Sequence, residues 1–215
     1  CQIIYFFNFL YLRKKSNIKI QIIKDLLQIF YPRLCLICEY PLFENEVFAC
    51  TICRHDLPVL FFKDATKNEL LRKFYGRIPV EEINTLLSFS KEGKTKKLIH
   101  ELKYEGGKRT GVFLGKQLGY ALKENGSFSD VDYIIPIPLH PKKEKLRGYN
   151  QSKYIAKGVR EVLEIKINTR SLIRTENTDS QTRKKRFNRW ENMMNSFALK
   201  RPEKLISTHI LLIDD

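Results

Sequence analysis

The chain has 215 residues, of which 43% are hydrophobic and 29% are charged, and this is the composition of a globular protein. It argues against a disordered chain, and the length allows one or two domains with a sizeable core. The formal net charge of +15 arises from 39 basic and 24 acidic residues. Such an excess favours partners that carry phosphate or other anionic groups.

The N-terminal region begins with the apolar run Ile3–Leu12, which is followed by the basic residues Arg13–Lys15. About ten apolar residues are too few to span a bilayer, and a secretory signal would place its charge first. Ile18–Tyr31 has helical spacing that Pro32 ends. There is no initiator Met, so we interpret residues 1–32 as a leader, partly helical or a non-native extension. We predict no stable membrane insertion, with a peripheral membrane contact as the alternative.

Four of the five cysteines form two C-x2-C pairs, Cys35 with Cys38 and Cys50 with Cys53. Zinc takes four tetrahedral ligands, and a C-x2-C pair directs two sulfurs at one ion. Four thiolates leave no open position, so the predicted site is structural. We therefore predict a zinc ribbon over residues 33–60, with two disulfides or free thiols as the alternatives. Cysteines clustered in this way are typical of a reducing compartment, and we predict a cytoplasmic protein.

Residues 61–81 have no firm period and are interpreted as a linker, after which an α/β pattern begins. Ile83–Phe89 alternates as a strand does, and Lys94–Tyr104 has helical spacing. Thr110–Glu124 is the strongest predicted helix. Its glycines recur at every fourth position (Gly111, Gly115 and Gly119), although each costs a helix roughly 1 kcal/mol relative to alanine. This stripe predicts that another element packs very close to that face.

The second half of the chain alternates strands and helices. Val131–Pro138 is predicted as a strand and Leu139–Ser152 as a polar, basic loop, and helical spacing resumes over Gln151–Leu163. A short strand is predicted around Leu172 and Ile173. A strand, a basic loop and a helix in succession form a ligand-binding arrangement suited to phosphate or pyrophosphate.

The polar, basic segment that follows, Asp179–Asn192, has two interpretations. It is a solvated helix or disordered loop, or it is a loop whose cations close over a highly charged ligand.

The last stretch, Ile206–Asp215, is an aliphatic run that ends in two adjacent acids. It is predicted to be a buried parallel strand that delivers Asp214 and Asp215 to the edge of the sheet, where ligands bind in open α/β folds. Adjacent sugar hydroxyls are suitable partners for two neighbouring carboxylates. The alternative is a strand that simply ends in solvated acids.

Several of these segments occur in the same order in a known family. They are the cysteine module, Leu102–Tyr104 with Gly106-Gly107, the run Ile135–His140, the run Arg147–Gln151, the loop Gln181–Asn192 and the strand Leu211–Asp215. Over roughly residues 33–215 the chain resembles the ComF/GntX family, phosphoribosyltransferase-like proteins associated with DNA uptake by competent bacteria. The resemblance implies a type I phosphoribosyltransferase fold over residues 82–215, a mostly parallel sheet with helices on both faces.

The resemblance also implies a ligand, phosphoribosyl pyrophosphate or a related phosphosugar, held with Mg2+. By resemblance Asp214 and Asp215 bind the ribose hydroxyls, while Arg147, Asn150 and Gln151 lie near the pyrophosphate. Arg186 and Arg189 would belong to the closing loop. Displacement of pyrophosphate from ribose C1 would then depend on positioning and charge neutralisation.

The chain departs from such enzymes at its C-terminus. There a Thr/Gly-rich loop that holds the 5′-phosphate follows the acidic pair, whereas this sequence ends at Asp215. We expect a C-terminally truncated sequence whose domain continues past that residue.

Two functions remain open at this point. One is phosphoribosyl transfer, and the other is a non-catalytic competence factor that contacts single-stranded DNA, and other competence proteins, through the zinc ribbon and basic surface. Tyr149, Phe187 and Trp190 are candidates for base stacking in the second, with ordinary packing as the alternative. The acidic pair favours the first, because it suits ribose and Mg2+ and repels DNA phosphates.

Overall fold

The computed structural model describes Leu26 and residues 30–60, 69–89, 93–104, 107–126, 128, 130–176 and 196–215. Within these residues the protein is a mixed α/β structure preceded by a four-cysteine module. The helices are α1 (Thr51–His55), α2 (Glu69–Arg72), α3 (Lys94–Tyr104), α4 (Lys108–Asn125), α5 (Pro141–Arg147) and α6 (Gln151–Leu163). The strands are β1 (Tyr133–Pro136), β2 (Lys166–Ile167), β3 (Leu172–Arg174), β4 (Phe197–Leu199) and β5 (Ile210–Ile213), and a 3-10 turn spans Pro202–Leu205.

Three strands form a parallel sheet in the order β2-β1-β5, with β1 in the centre. Residues Tyr133 to Pro136 of β1 pair in register with Ile210 to Ile213 of β5. The last two residues of the chain therefore leave the sheet beside the carboxyl end of its central strand. The predicted parallel pairing of this strand is confirmed, but the predicted burial is not, because two of its four residues are exposed.

The core of this sheet lies under α6. Ile134 of β1 and Ile213 of β5 pack with Ile155 and Val159 of α6, and Leu102 of α3 joins the same cluster. Ile210 and Leu212 lie on the opposite face of β5 and are exposed. The described helices thus cover the face of β5 that carries Ile213.

The glycine stripe of α4 packs against α6, as its spacing predicted. A Cβ atom on Gly111 would lie 3.0 Å from the Tyr154 Cβ, and one on Gly119 would lie 2.9 Å from the Val162 Cβ. Real Cβ atoms are not found much closer than that, so only glycine lets the two helix backbones approach. The helices α3 and α6 have the bounds that the sequence predicted, and α4 exceeds its predicted bounds slightly.

The predicted strand Ile83–Phe89 is wrong. Only Leu87 makes a bridge, to Val59, and the chain there is otherwise irregular. Leu86 and Leu87 both pack against the core cluster that contains Cys35 and Leu98. The segment is held by backbone hydrogen bonds from Leu60 to the Leu86 carbonyl and from Ser88 to the Pro58 carbonyl.

The predicted basic loop after β1 contains a helix, α5. His140 caps it by accepting a hydrogen bond from the Lys142 amide at 3.2 Å, and Pro141 occupies the first turn. Gly148 ends it with a φ of +79°, a conformation that favours glycine. The charged residues of this segment are therefore presented by a short helix.

Strands β3 and β4 pair antiparallel, and Thr175 donates to the Ser196 carbonyl at 2.8 Å. The two-stranded ribbon confirms the short strand predicted around Leu172. The predicted closing loop connects its two strands, but this loop lies outside the described residues. Most of the predicted helix Ile18–Tyr31 also lies outside them.

Among the described helices, none combines the length and the apolar character needed to cross a membrane.

Candidate metal centre and ligand site

The four cysteines of the two C-x2-C pairs come together in one cluster. The Sγ atoms of Cys35, Cys38, Cys50 and Cys53 all lie within 4.8 Å of one another. Cys38 Sγ and Cys50 Sγ are 3.7 Å apart, too far for a disulfide and close to the sulfur separation of about 3.8 Å that tetrahedral zinc with ~2.3 Å bonds requires. All four are free thiols. The donor set and its spacing therefore fit a metal ion such as zinc.

The second cysteine pair stands at a helix start and not in a ribbon. Cys50 is the N-cap of α1, and its sulfur accepts a hydrogen bond from the Cys53 amide at 3.5 Å. Cys35 also accepts from the Cys50 amide, at 3.4 Å. Burial acts to raise the pKa of Cys35, but backbone hydrogen bonds outweigh it and lower the pKa to about 6. Burial is the main cause that raises the pKa of Cys53 to about 12, and hydrogen bonds with the neighbouring cysteine side chains act in the same direction.

Glu46 organises the loop between the two pairs, and the sequence analysis did not identify it. It is 6% exposed, and its carboxylate accepts hydrogen bonds from the Phe43 amide at 2.9 Å and the Thr51 amide at 2.6 Å. The Thr51 hydroxyl adds a third bond at 2.9 Å. The pKa of Glu46 is lowered, first by the Phe43 amide and then by the Thr51 amide. The carboxylate thus joins the loop to the start of α1.

The module shares its core with the larger part of the protein. Cys35 and Phe48 pack in one cluster with Leu98 of α3 and Leu114 of α4. Lys97 of α3 donates a hydrogen bond to the Ile37 carbonyl, between the first two cysteines, at 2.7 Å. Helix α3 therefore packs against the cysteine module.

The acidic pair lies beside the start of α6. Ser152, in the first turn of that helix, donates a hydrogen bond from its hydroxyl to Oδ1 of Asp214 at 3.2 Å. Asp214 keeps solvent access, yet its pKa is raised, first by desolvation among the surrounding protein atoms and second by the Asp215 carboxylate. Asp215 is paired instead with Lys103 of α3, whose Nζ lies 3.1 Å from Oδ2.

The segment Arg147–Gln151 lies close to the same edge. Asn150 donates from Nδ2 to the Ile137 carbonyl at 2.9 Å, which ties the start of α6 to the end of β1. Arg147 Nη1 donates to Gln151 Oε1 at 3.2 Å. Asn150 Oδ1 and Gln151 Nε2 are buried and find no partner in the described part of the chain. Asn150 is the N-cap of α6 but makes no side-chain cap bond.

Tyr149 is buried by packing and does not present its ring for stacking. It is 5% exposed, its hydroxyl donates to the Leu102 carbonyl at 2.7 Å, and its ring meets Tyr154 edge-on. For Tyr149 the alternative to base stacking, ordinary packing, is therefore confirmed. The other predicted residues, Arg186, Arg189, Phe187 and Trp190, lie outside the described residues.

Sequence reasoning missed two contributors to this edge, Lys103 and Ser152. Neither belongs to a motif that spacing identifies, although Lys103 stands in the Leu102–Tyr104 segment on which the family resemblance partly depends. Both are recognised only because their elements meet at β5.

The geometry defines a class of protein: an α/β protein with a three-stranded parallel sheet and a preceding four-cysteine cluster that could hold a metal such as zinc. No family model matches the chain, and no curated protein matches it.

Proposed function

We propose that the protein is a phosphoribosyltransferase-like member of the ComF/GntX family that binds phosphoribosyl pyrophosphate with Mg2+. The observation that carries the proposal is the position of Asp214 and Asp215, which directly follow a strand paired in parallel with the central strand of the sheet. Ligands of open α/β folds bind at this edge. A pair of carboxylates there suits the two adjacent hydroxyls of a ribose.

The start of α6 supports the pyrophosphate half of the proposal. The N-terminus of a helix carries partial positive charge and free amide groups, which favour anions. At this helix start Gln151 holds an unused donor, Nε2, and Arg147 adds a guanidinium. Arginine suits phosphate because its donors are arranged as a fork. In this proposal Arg147, Asn150 and Gln151 surround the pyrophosphate.

The closing loop completes the proposed site. Arg186 and Arg189 would contribute cations from the segment that connects β3 and β4. Strands β3 and β4 pair with each other, and Arg174 of β3 lies opposite Phe197 of β4, so the segment between them begins and ends at paired strands. The chemistry would be transfer of the phosphoribosyl group with loss of pyrophosphate, in which Mg2+ neutralises charge on the leaving group. The protein would act in the cytoplasm and would be associated with DNA uptake.

Calorimetry tests this proposal. Full-length protein, with any residues that follow Asp215 in its reading frame, is titrated with phosphoribosyl pyrophosphate and Mg2+. Changing both Asp214 and Asp215 to Asn should weaken binding about tenfold or more, because each lost charged hydrogen-bond partner costs about 1.5–3 kcal/mol. Arg147→Ala should weaken binding of phosphoribosyl pyrophosphate more than that of ribose 5-phosphate. No heat with the parent, or equal binding by the double variant, would reject the proposal.

A second candidate function, binding of single-stranded DNA, rests on a different surface. A groove of about 340 Å³ runs between Val47 of the cysteine module and the helices α4 and α6. Its apolar walls include Phe113 and Tyr154, and Lys108 and Arg109 line it as well. Aromatic rings beside cations suit a flexible polyanion with stacking bases.

This candidate predicts binding that falls steeply as salt rises. Replacing Lys108 and Arg109 with Ala should weaken binding of a labelled single-stranded oligonucleotide. A titration at low salt that shows no binding would remove nucleic acid as a direct partner.

A further inference from the structure

The C-terminal end of α3 contacts three different parts of the proposed ligand site through consecutive residues. The Leu102 carbonyl accepts the Tyr149 hydroxyl at 2.7 Å. The Lys103 ammonium lies 3.1 Å from Asp215 Oδ2, and the Tyr104 ring lies 5.6 Å from the Arg147 guanidinium carbon. One short stretch therefore meets both the acidic pair and the segment proposed to hold pyrophosphate.

The backbone of this stretch is anchored in the core, whereas the Lys103 side chain ends in a partly exposed ion pair. Leu102 is fully buried in the core beneath α6, and its carbonyl is bound. Lys103 is joined to this anchor by a flexible four-carbon stem with a compact charge at its end. Its side chain is 27% exposed and that of Asp215 is 16% exposed, so the pair is mostly shielded but not sealed.

We propose that Lys103 is an exchangeable cation of the ligand site, which holds Asp215 in the free protein and moves to the pyrophosphate when ribose hydroxyls occupy that carboxylate. The inference rests on the proposed function and deepens it by assigning a specificity-determining residue. In the free protein the ammonium offsets the repulsion between two adjacent carboxylates. In the complex the hydroxyls supply hydrogen bonds to Asp215, and the released ammonium turns to the pyrophosphate from the residue next to Tyr104, whose ring lies 5.6 Å from the Arg147 guanidinium carbon.

The exchange has a signature that other roles of Lys103 do not share. In a protein without Lys103, phosphoribosyl pyrophosphate loses its contact with a cation. Ribose 5-phosphate loses no such contact, and its hydroxyls no longer have to displace the ion pair between Lys103 and Asp215. A Lys103 that only positioned Asp215 would, when removed, weaken both ligands alike. A Lys103 that only blocked the site would, when removed, tighten both alike.

The test compares full-length parent protein with Lys103→Met by calorimetry, in the presence of Mg2+. Phosphoribosyl pyrophosphate and ribose 5-phosphate are titrated in turn. Phosphoribosyl pyrophosphate should bind about tenfold more weakly to the variant, as expected for a lost charged contact. Ribose 5-phosphate should bind as tightly as to the parent, or more tightly.

Lys96→Met serves as the matched control, because Lys96 is exposed on the same helix and its loss changes net charge equally. Lys96→Met should leave both affinities unchanged. If it weakened phosphoribosyl pyrophosphate binding as much as Lys103→Met does, net charge would explain the effect and the inference would be overturned. Parallel changes for the two ligands in Lys103→Met, in either direction, would overturn it too. If the parent binds neither ligand, the proposed function is rejected, and the proposed exchange of Lys103 is rejected with it.

Discussion

Gly115 of α4 lies directly against the Ile155 carbonyl of α6, and a Cβ atom on Gly115 would overlap that oxygen. The contact is mutual, because a Cβ atom on Gly158 of α6 would overlap the Val112 carbonyl and lie 2.7 Å from the Lys116 amide nitrogen. Backbone groups cannot move aside as side-chain ends do. This crossing therefore sets where α6, and with it the helix start that we propose binds the ligand, lies over the sheet.

Gly115→Ala should destabilise the protein by about 3 kcal/mol or more, because the two helices must separate to admit the methyl group. For a chain of this length that corresponds to a fall in Tm of roughly 6–12 °C. Thermal unfolding followed by circular dichroism measures the change. Gln117→Ala, at an exposed position of the same helix, is the control and should change Tm little. An unchanged Tm for Gly115→Ala would show that the two helices can separate at this crossing without cost.

The four-cysteine cluster should bind about one zinc ion per chain, which elemental analysis of purified protein measures. Removing the metal with a chelator should lower Tm, because Cys35 and Phe48 share a core with Leu98. Cys38→Ser should reduce the zinc content and the stability. Cys1→Ser is the matched control, since Cys1 is outside both C-x2-C pairs. A metal-free protein with a folded module would contradict this prediction.

Glu46→Ala should weaken metal retention without removing a ligand. The change leaves the Phe43 and Thr51 amides without their carboxylate partner, a loss of about 1.5–3 kcal/mol from a charged hydrogen-bond acceptor. Release of zinc to a coloured chelator should be faster than from the parent. Glu44→Ala, which alters an exposed acid of the same loop, should release zinc at the parental rate.

Asp214→Asn should stabilise the protein slightly at neutral pH while weakening ligand binding. The pKa of Asp214 is raised above its ordinary value of 3.8 in the folded protein, so the folded state holds the proton more tightly than the unfolded state. Its contribution to stability is full below pH 3.8 and is lost as pH rises through the raised pKa. Asn keeps an acceptor for Ser152 but carries no charge, and solvent access limits the gain to less than ~1 kcal/mol.

The measurement is the difference in Tm between variant and parent across pH. The difference should be positive at pH 7 and should vanish as pH falls below 3.8, and any metal lost at low pH affects both proteins equally. Asp215→Asn is the comparison, because it removes the partner of Lys103 and should not stabilise the protein. A Tm difference for Asp214→Asn that grows as the pH falls would contradict the prediction.

Sequence reasoning succeeded where the signal is local. The 3.6-residue period of α3 and α6 predicted both helices with their observed bounds, and two C-x2-C pairs predicted the sulfur cluster. The glycine stripe of α4 predicted a close neighbour. Helix α5 was missed although Pro141 and Gly148 mark its two ends, because its charged residues resemble those of a loop.

What the sequence by itself determined is therefore three long helices, the strands β1 and β5, and the residue types at their ends, because periodicity and metal-ligand spacing act within a few residues. Tertiary structure decided which of these ends meet. Lys103 pairs with Asp215 only because α3 and β5 pack into one core with α6. Contacts with distant segments also bury Tyr149 and place Leu86 and Leu87 against the cluster of Cys35 and Leu98, and no local pattern specifies such contacts.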